Sequence, residues 1–170
     1  PIVEDACEAL GVKYKKKSLG TIGEIGFFSF DFGKIITTGE GGMLTTNSKD
    51  LFIKLKALRD HGHENKINIH RGLDKAICRG FNFRMTEMQA AVGIAQLDKL
   101  KKILLLKKRN FKLIEKILIR KNLIKLRKTH KNSTDQHDFL CLQFENNSIA
   151  KKNYQKFLKH KIPVGILPVA

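Results

Sequence analysis

A run of aromatic residues that leads into a lysine-bearing, glycine-rich turn constrains this chain more than any other segment does. Phe27, Phe28 and Phe30 form a strand-like run, the turn after it presents Lys34, and three glycines follow between positions 39 and 42. Glycine permits backbone angles and close approaches that other residues resist. A lysine held among apolar neighbours loses affinity for its proton and becomes a nucleophile suited to Schiff-base chemistry. The same segment is also consistent with a β-hairpin whose Lys34 points into water.

A carboxylate ends a short apolar run near the start of the chain. Residues 1–4 predict a buried strand of the parallel type, with Asp5 at its carboxyl end. In α/β proteins, a carboxylate just past the end of a strand lies at the sheet edge where ligands bind. On local grounds Asp5 is equally suited to cap the turn that follows it. The pattern therefore leaves the role of Asp5 open between ligand binding and capping.

A third motif lies between residues 81 and 91, where Phe-Asn-Phe-Arg-Met-Thr-Glu is followed by Gln-Ala-Ala. Together with Glu4-Asp5-Ala6 and the segment from Ser29 to Gly42, it resembles the DegT/DnrJ/EryC1/StrS family of pyridoxal-phosphate-dependent sugar aminotransferases. Three motifs in this order make a specific match. The clear similarity covers roughly residues 1 to 110, and beyond that only the order of the elements agrees.

The resemblance places four residues around one cofactor, pyridoxal 5'-phosphate. Lys34 and Asp5 match the two catalytic positions: the lysine that binds the cofactor aldehyde, and the aspartate that keeps the pyridine nitrogen protonated. Ser29 matches a serine that contacts the cofactor phosphate. Glu8 lies at a position close to the cofactor ring that is often His or Gln in relatives, so its role is undefined. Some relatives with histidine in place of Lys34 act as dehydratases, so the lysine favours transamination.

The resemblance also implies a homodimer. Asn82 matches an asparagine that reaches the cofactor phosphate in the neighbouring subunit, and Arg84 is its expected helper. On local grounds alone, Asn82 is a loop amide. The polar segment over residues 61–79 is predicted to be a loop of the functional or mobile kind, and the family places a substrate-proximal, dimer-facing segment there.

The implied activity is transfer of an amino group, from glutamate, to a nucleotide-linked or acidic keto sugar for amino-sugar and cell-surface polysaccharide synthesis. The implied fold is α/β: part of a fold-type I aminotransferase large domain, with a mixed, mostly parallel sheet and helices, followed by part of a small α+β domain. We expect the large domain over residues 1–100, and a bridging helix with an incomplete small domain over residues 101–170. Because family members are more than twice as long, we expect a fragment that binds the cofactor weakly or not at all by itself.

The strong positive charge admits a different function. The net charge is +17, and fourteen lysines or arginines but only one acid, Glu115, lie between Lys99 and Lys131. Such a segment suggests a basic nucleic-acid-binding or scaffold protein. Its apolar residues can nevertheless share one face of a helix, which is typical of a solvated amphipathic helix. The apolar residues of this helix face are Leu100, Ile103, Leu104, Phe111, Ile114 and Leu118. A further alternative for the whole chain is an inactive aminotransferase fragment.

Cysteine and histidine spacing predicts neither a disulfide framework nor a metal site. The three cysteines are far apart and odd in number, and His61 with His63 is the only close histidine pair. Apolar runs are too short to span a membrane, so we expect a cytoplasmic protein.

Hydrophobic periodicity and turn residues predict the elements of the chain. The first part of the chain is predicted to form a polar hairpin over 13–23 with Lys15, Lys16 and Lys17 at its tip, a strand buried on both faces over 25–30 and a strand over 41–46. Two helices are predicted next: one over 49–59 that buries Leu51, Leu55 and Leu58, and one that begins at Thr86-Glu87. The rest is predicted to form a basic helix over 100–121, a strand over 137–144, a helix over 149–160 and a strand over 162–167.

Overall fold

The computed structural model describes residues 1–120 and 125–165 of the 170-residue chain. These residues form short strands, three α-helices and a single 3-10 turn at Arg71–Leu73. The elements in chain order are β1 (Val3–Asp5), β2 (Lys13–Tyr14), β3 (Lys17–Ser18), β4 (Ile25–Ser29), β5 (Gly42–Thr45), α1 (Lys49–Leu58), α2 (Glu87–Arg120), β6 (Lys125–Leu126), β7 (Leu142–Gln143) and α3 (Asn147–Lys159).

The central sheet has three strands in the order β1-β4-β5. β1 is parallel to β4, and β4 is antiparallel to β5. The expected α/β class and mixed sheet are therefore confirmed, although only one of the two strand pairings in this sheet is parallel. β1 lies at an edge of this sheet, and Ile2 and Val3 are 64% and 61% exposed. The expectation of a buried first strand is wrong for this structure, because its side chains point to the faces of the sheet and the described elements leave them largely uncovered.

β4 carries the core of the molecule. Phe28 and Phe30 are buried together with Ala6 and Ile36, whereas Ile25 and Phe27 on the alternate positions of β4 are only half-buried. Burial on both faces of this strand was expected and is wrong, since one face alone is closed by other elements. The residues that pack on the core from outside are Ala9, Leu10, Met85, Leu100 and Ile103.

Two glycines let the loop before β4 lie directly against that strand. Gly20 has a φ of 83°, a conformation that glycine adopts without strain. A Cβ atom on Gly26 would lie 2.0 Å from the Gly20 carbonyl oxygen. The close backbone contact between the loop and β4 therefore requires glycine at position 26.

Local signals place the first helix and the lysine hairpin correctly. The Ser48 side chain caps α1 by accepting a hydrogen bond from the Leu51 amide. β2 and β3 form the predicted hairpin, and Lys15 and Lys16 have φ values of 47° and 68° at its tip. Lys17, which was also expected at the tip, belongs to β3. In α1, however, the buried residue is Ala57. Leu51 and Leu55 are only half-buried, and Leu58 is exposed, so its predicted burial is wrong.

α2 is one continuous helix of 34 residues. Thr86 and Gln89 form a capping box at its N-terminus. The Thr86 hydroxyl accepts a hydrogen bond from the Gln89 backbone amide, and the Gln89 side-chain oxygen accepts one from the Thr86 backbone amide. The predicted basic helix is therefore the second half of α2. No helix among the described residues is long and apolar enough to cross a membrane.

The C-terminal part is less regular than predicted. The expected strand over 137–144 is wrong except for the two residues of β7, and His137 has a φ of 58° that interrupts extended structure. The predicted helix is confirmed as α3, capped by Asn146. Residues 162–165 are not a strand, and the rest of the strand predicted over 162–167 lies outside the described residues.

Candidate active site

The carboxyl ends of β1 and β4 bring Asp5 and Ser29 to the same edge of the sheet. The parallel register pairs Asp5, the last residue of β1, with Phe27, two residues before Ser29 at the end of β4. Ligands of α/β proteins bind outside this end of parallel strands. The structure thus places these two predicted site residues next to each other in the fold.

A tight turn after β4 presents Lys34 at this edge. The Lys34 amide donates to the Asp31 carbonyl at 3.0 Å, and the Gly33 amide donates to the Asp31 carboxylate at 3.2 Å. The base of the loop is closed by a 2.8 Å bond from the Phe30 amide to the Gly41 carbonyl. β4 and β5 are therefore the two strands of a hairpin, as one interpretation of the sequence proposed.

Lys34 does not point into water. Its side chain is only 20% exposed, and its Nζ atom donates a hydrogen bond to the Glu8 carboxylate, 26 residues earlier in the chain. This bond raises the pKa of the Lys34 amine, which outweighs the opposite effect of burial; the charges of Glu8, Cys7 and Asp31 add to the increase. The sequence predicted an amine with weakened affinity for its proton because its neighbours were taken to be apolar, and the structure gives the opposite direction.

Asp5 both caps its turn and faces Lys34. Its carboxylate accepts a hydrogen bond from the Cys7 amide at 3.1 Å, and this bond, with a smaller contribution from the positive charge of Lys34, lowers the pKa of Asp5. Burial and the Asp5 carboxylate raise the pKa of the Cys7 thiol. We call Asp5, Cys7, Glu8 and Lys34 the strand-edge cluster. Capping and ligand binding, which the sequence left as alternatives for Asp5, are compatible, because a carboxylate has two oxygens.

Ser29 lies beside this cluster at the end of β4. Its side chain is half-buried, and its Oγ atom accepts a hydrogen bond of 3.3 Å from the Asp31 amide. A hydroxyl that accepts from the backbone keeps its own proton available to donate. Ser29 can therefore donate to an anion at this edge.

Asn82 and Arg84 belong to a second group of contacts, around the buried Asp60. The Asp60 carboxylate accepts hydrogen bonds from Arg71 at 3.0 and 2.5 Å and from Arg84 at 2.5 Å. These bonds, most of all those from Arg71, hold the pKa of Asp60 far below its usual range. Asn82 is exposed and pairs through its backbone with Asp60. We call Asp60, Arg71 and Arg84 the arginine clamp; the contacts of the described residues do not join it to the strand-edge cluster.

Sequence reasoning missed the structural role of Glu4. Its carboxylate accepts three backbone hydrogen bonds, from Gly20 at 2.8 Å and from Ile22 and Gly23 at 2.6 Å each. Although burial opposes them, these three bonds lower the pKa of Glu4. Glu4 thereby ties the loop before β4 to the strand that carries Asp5. Its position beside Asp5 in the first motif was the signal available, but the motif does not indicate its partners.

The fold and this site define an α/β protein with a lysine and a carboxylate at the end of adjacent parallel strands. The family comparison makes the class specific: the model of the DegT/DnrJ/EryC1/StrS aminotransferase family matches residues 1–166. The chain belongs to this family.

Named relatives agree with the family. The chain is 48% identical over 98 residues to the GDP-perosamine synthase of Caulobacter vibrioides, covering 58% of this chain and 25% of the relative. It is 32% identical over 173 residues to the UDP-4-amino-4,6-dideoxy-N-acetyl-beta-L-altrosamine transaminase of Campylobacter jejuni, covering 99% of this chain and 38% of the relative. EpsN of Bacillus subtilis, whose name describes a pyridoxal phosphate-dependent aminotransferase, is 41% identical over 98 residues, covering 58% of this chain and 24% of the relative.

A solved structure extends the agreement to three dimensions. The aminotransferase from Psychrobacter cryohalolentis superposes with a TM-score of 0.73 at 32% sequence identity, covering 85% of this chain and 40% of that one. The chain thus spans 24% to 40% of the length of these four proteins.

Proposed function

We propose that this chain carries the catalytic lysine of a pyridoxal-phosphate-dependent aminotransferase that moves an amino group from glutamate to a nucleotide-linked keto sugar. The observation that carries the proposal is the placement of Lys34 and Asp5 in one cluster at the end of the parallel strands. Membership of the family supports the reaction. The names of the relatives in Caulobacter and Campylobacter, which refer to GDP- and UDP-linked amino sugars, support the substrate class.

The chemistry of the strand-edge cluster fits pyridoxal phosphate. The cofactor has an aldehyde, a basic ring nitrogen and a phosphate, and the cluster with Ser29 offers an amine, a carboxylate and a hydroxyl. The lowered pKa of Asp5 keeps it anionic at neutral pH, as a partner for a protonated ring nitrogen requires. When bound, pyridoxal phosphate supplies an aldehyde that condenses with amines and a ring that withdraws electrons from the reacting carbon.

Each residue of the site then has a definite task. The Lys34 amine would hold the aldehyde and, when free, would move a proton to or from the substrate carbon. Asp5 would accept a hydrogen bond from the protonated ring nitrogen. The Ser29 hydroxyl would donate a hydrogen bond to the phosphate. Glu8, whose carboxylate accepts a hydrogen bond from the Lys34 amine, would lie close to the ring.

We further propose that the working enzyme is a cytoplasmic homodimer of the fold-type I class that serves cell-surface polysaccharide synthesis. Asn82 would reach the cofactor phosphate of the neighbouring subunit, since it is exposed, and Arg84 would support it from the arginine clamp. Residues 1–100 would belong to the large domain and residues 101–170 to the bridging helix and the small domain. The unbroken helix α2 would then connect the two rigidly.

Covalent trapping tests the central claim. The full-length protein that contains this chain is incubated with pyridoxal phosphate, reduced with borohydride and digested for mass spectrometry. We expect the added mass on Lys34, and its absence in Lys34→Arg. Lys101→Arg, a change of an exposed lysine on α2, should leave the labelling intact. Labelling spread over many lysines without preference for Lys34 would refute the proposed site.

The reaction itself is tested with nucleotide-linked keto sugars and glutamate. We expect formation of 2-oxoglutarate that requires both substrates, and its loss in Lys34→Arg. Asp5→Asn should retain labelling of Lys34 but lose most of the turnover, because an amide does not hold the ring nitrogen protonated. Turnover of Asp5→Asn equal to that of the wild type would contradict the role of Asp5.

A further inference from the structure

We propose that Glu8 is a positioning residue for Lys34, which holds the amine as an ammonium at the strand edge and sets the pH at which it becomes a nucleophile. This role deepens the proposed function, because it concerns the lysine on which that function rests. Glu8 would thus control how readily Lys34 takes up an aldehyde, without itself touching the reacting atoms.

The geometry makes Glu8 the partner that joins the two strand ends. Glu8 lies in the turn that follows β1, and Lys34 lies in the turn that follows β4, so their hydrogen bond closes the edge between the parallel strands. The Lys34 side chain is the less exposed of the two, at 20% against 56% for Glu8. A half-buried ammonium depends on its hydrogen-bonding partner more than one in open water does.

Among the described residues, the other two carboxylates near Lys34 bond to backbone amides and not to its amine. Asp5 accepts from the Cys7 amide, and Asp31 accepts from the Gly33 amide within its own turn. The Cys7 thiol has a raised pKa, so it adds negative charge beside Lys34 only in the alkaline range where it ionises. Among the described residues, Glu8 is the one carboxylate with a hydrogen bond to the Lys34 amine.

An ammonium cannot attack an aldehyde, so a carboxylate that favours the ammonium delays attack. Removing the charge of Glu8 should let Lys34 release its proton at lower pH. Because Glu8 is more than half exposed, solvent screens the pair, and exposed pairs are worth little. We therefore expect Lys34 to be about two- to fivefold more reactive in Glu8→Gln at a pH where the wild-type amine is still mostly protonated.

Competitive labelling with acetic anhydride measures this directly and needs no cofactor. The full-length protein is labelled over a series of pH values, and mass spectrometry reports the acetylated fraction of Lys34 relative to the exposed Lys101 of α2. The titration of Lys34 should move to lower pH in Glu8→Gln. It should move less in Glu8→Asp, which keeps the charge on a shorter side chain. In the matched control Glu24→Gln, on an exposed residue away from the cluster, it should not move.

Two results would overturn the role of Glu8: a Lys34 titration that is the same in the wild type and in Glu8→Gln, or a shift of the same size in Glu24→Gln. The proposed function fails separately. If Lys34 titrates as expected but borohydride traps no cofactor on it, the coupling of Glu8 to Lys34 stands and the aminotransferase site does not. If cofactor is trapped on Lys34 while Glu8→Gln has no effect on the titration of Lys34, the aminotransferase site stands and the coupling of Glu8 to Lys34 does not.

Discussion

Replacement of Asp60 by Asn should destabilise the protein more than any conservative change at a surface acid. The Asp60 side chain is 6% exposed and accepts three hydrogen bonds from the guanidinium groups of Arg71 and Arg84. The amide of Asn can accept through one oxygen only, and its NH2 group would face the arginines. The substitution therefore breaks the arginine clamp while preserving the size of the side chain.

The structure bounds the size of the effect. Removing one partner of a buried ion pair costs about 3–5 kcal/mol, because the remaining charge is left buried. In the arginine clamp the Arg71 and Arg84 side chains are 48% and 39% exposed, so they can return to water. We therefore expect a loss at or just below the lower limit of that range, about 2–3 kcal/mol in the free energy of unfolding. The amides of Phe81 and Phe83, which donate to the carbonyls of Leu58 and Arg59 beside the clamp, should also exchange faster with solvent.

Urea denaturation of Asp60→Asn and of the control Asp98→Asn, an exposed acid on α2, measures this loss. The pH dependence gives a second check. Arg71 and Arg84 hold the pKa of Asp60 far below its unfolded value of about 4, so its contribution is present above pH 4 or so and is lost as pH falls through the folded pKa. The difference between wild type and Asp60→Asn should be constant at neutral pH and shrink in acid. A loss below about 0.5 kcal/mol, or a difference that grows in acid, would refute the reasoning.

Two other substitutions test the packing around the site. Gly26→Ala should lower the free energy of unfolding by about 2 kcal/mol or more, measured by thermal or urea unfolding, because its Cβ would collide with the Gly20 carbonyl oxygen. In the control Gly165→Ala the added Cβ meets open space. Equal stability of the two variants would contradict the close contact. Glu4→Gln should cost about 1–2 kcal/mol, because an amide cannot accept all three backbone bonds. Since the folded pKa of Glu4 is lowered, its contribution should be present above pH 4 or so and disappear in more acidic solution, and an unchanged acid denaturation profile would contradict this.

Interactions that span a few residues could be predicted from the sequence. Ser48 caps the helix that begins one residue later, and Lys15 and Lys16 form a turn between strands that are adjacent in the chain. Such contacts form almost wherever the segment is placed, because both partners are close in sequence. The order of the three motifs was likewise sufficient to identify the family that the comparison confirms.

The lengths of the helices and strands were harder to predict. The change from small residues to lysines near residue 100 suggested a new helix, but α2 continues, since neither glycine nor proline interrupts it there. The apolar residues over 137–144 suggested a strand of that length. Only β7 pairs, because the length of a strand depends on how much of a partner lies beside it.

The sequence by itself determined the chemistry available to this protein: an acid at the end of the first strand, a lysine in a glycine-bounded turn and a serine before it. Tertiary structure alone decided which charged groups contact which partners. Lys34 meets Glu8, Glu4 meets the loop amides before β4, and Asp60 gathers two arginines. The physical reason is that these partners are separated by eleven to twenty-six residues, so their encounter depends on how strands and loops pack and on no local preference.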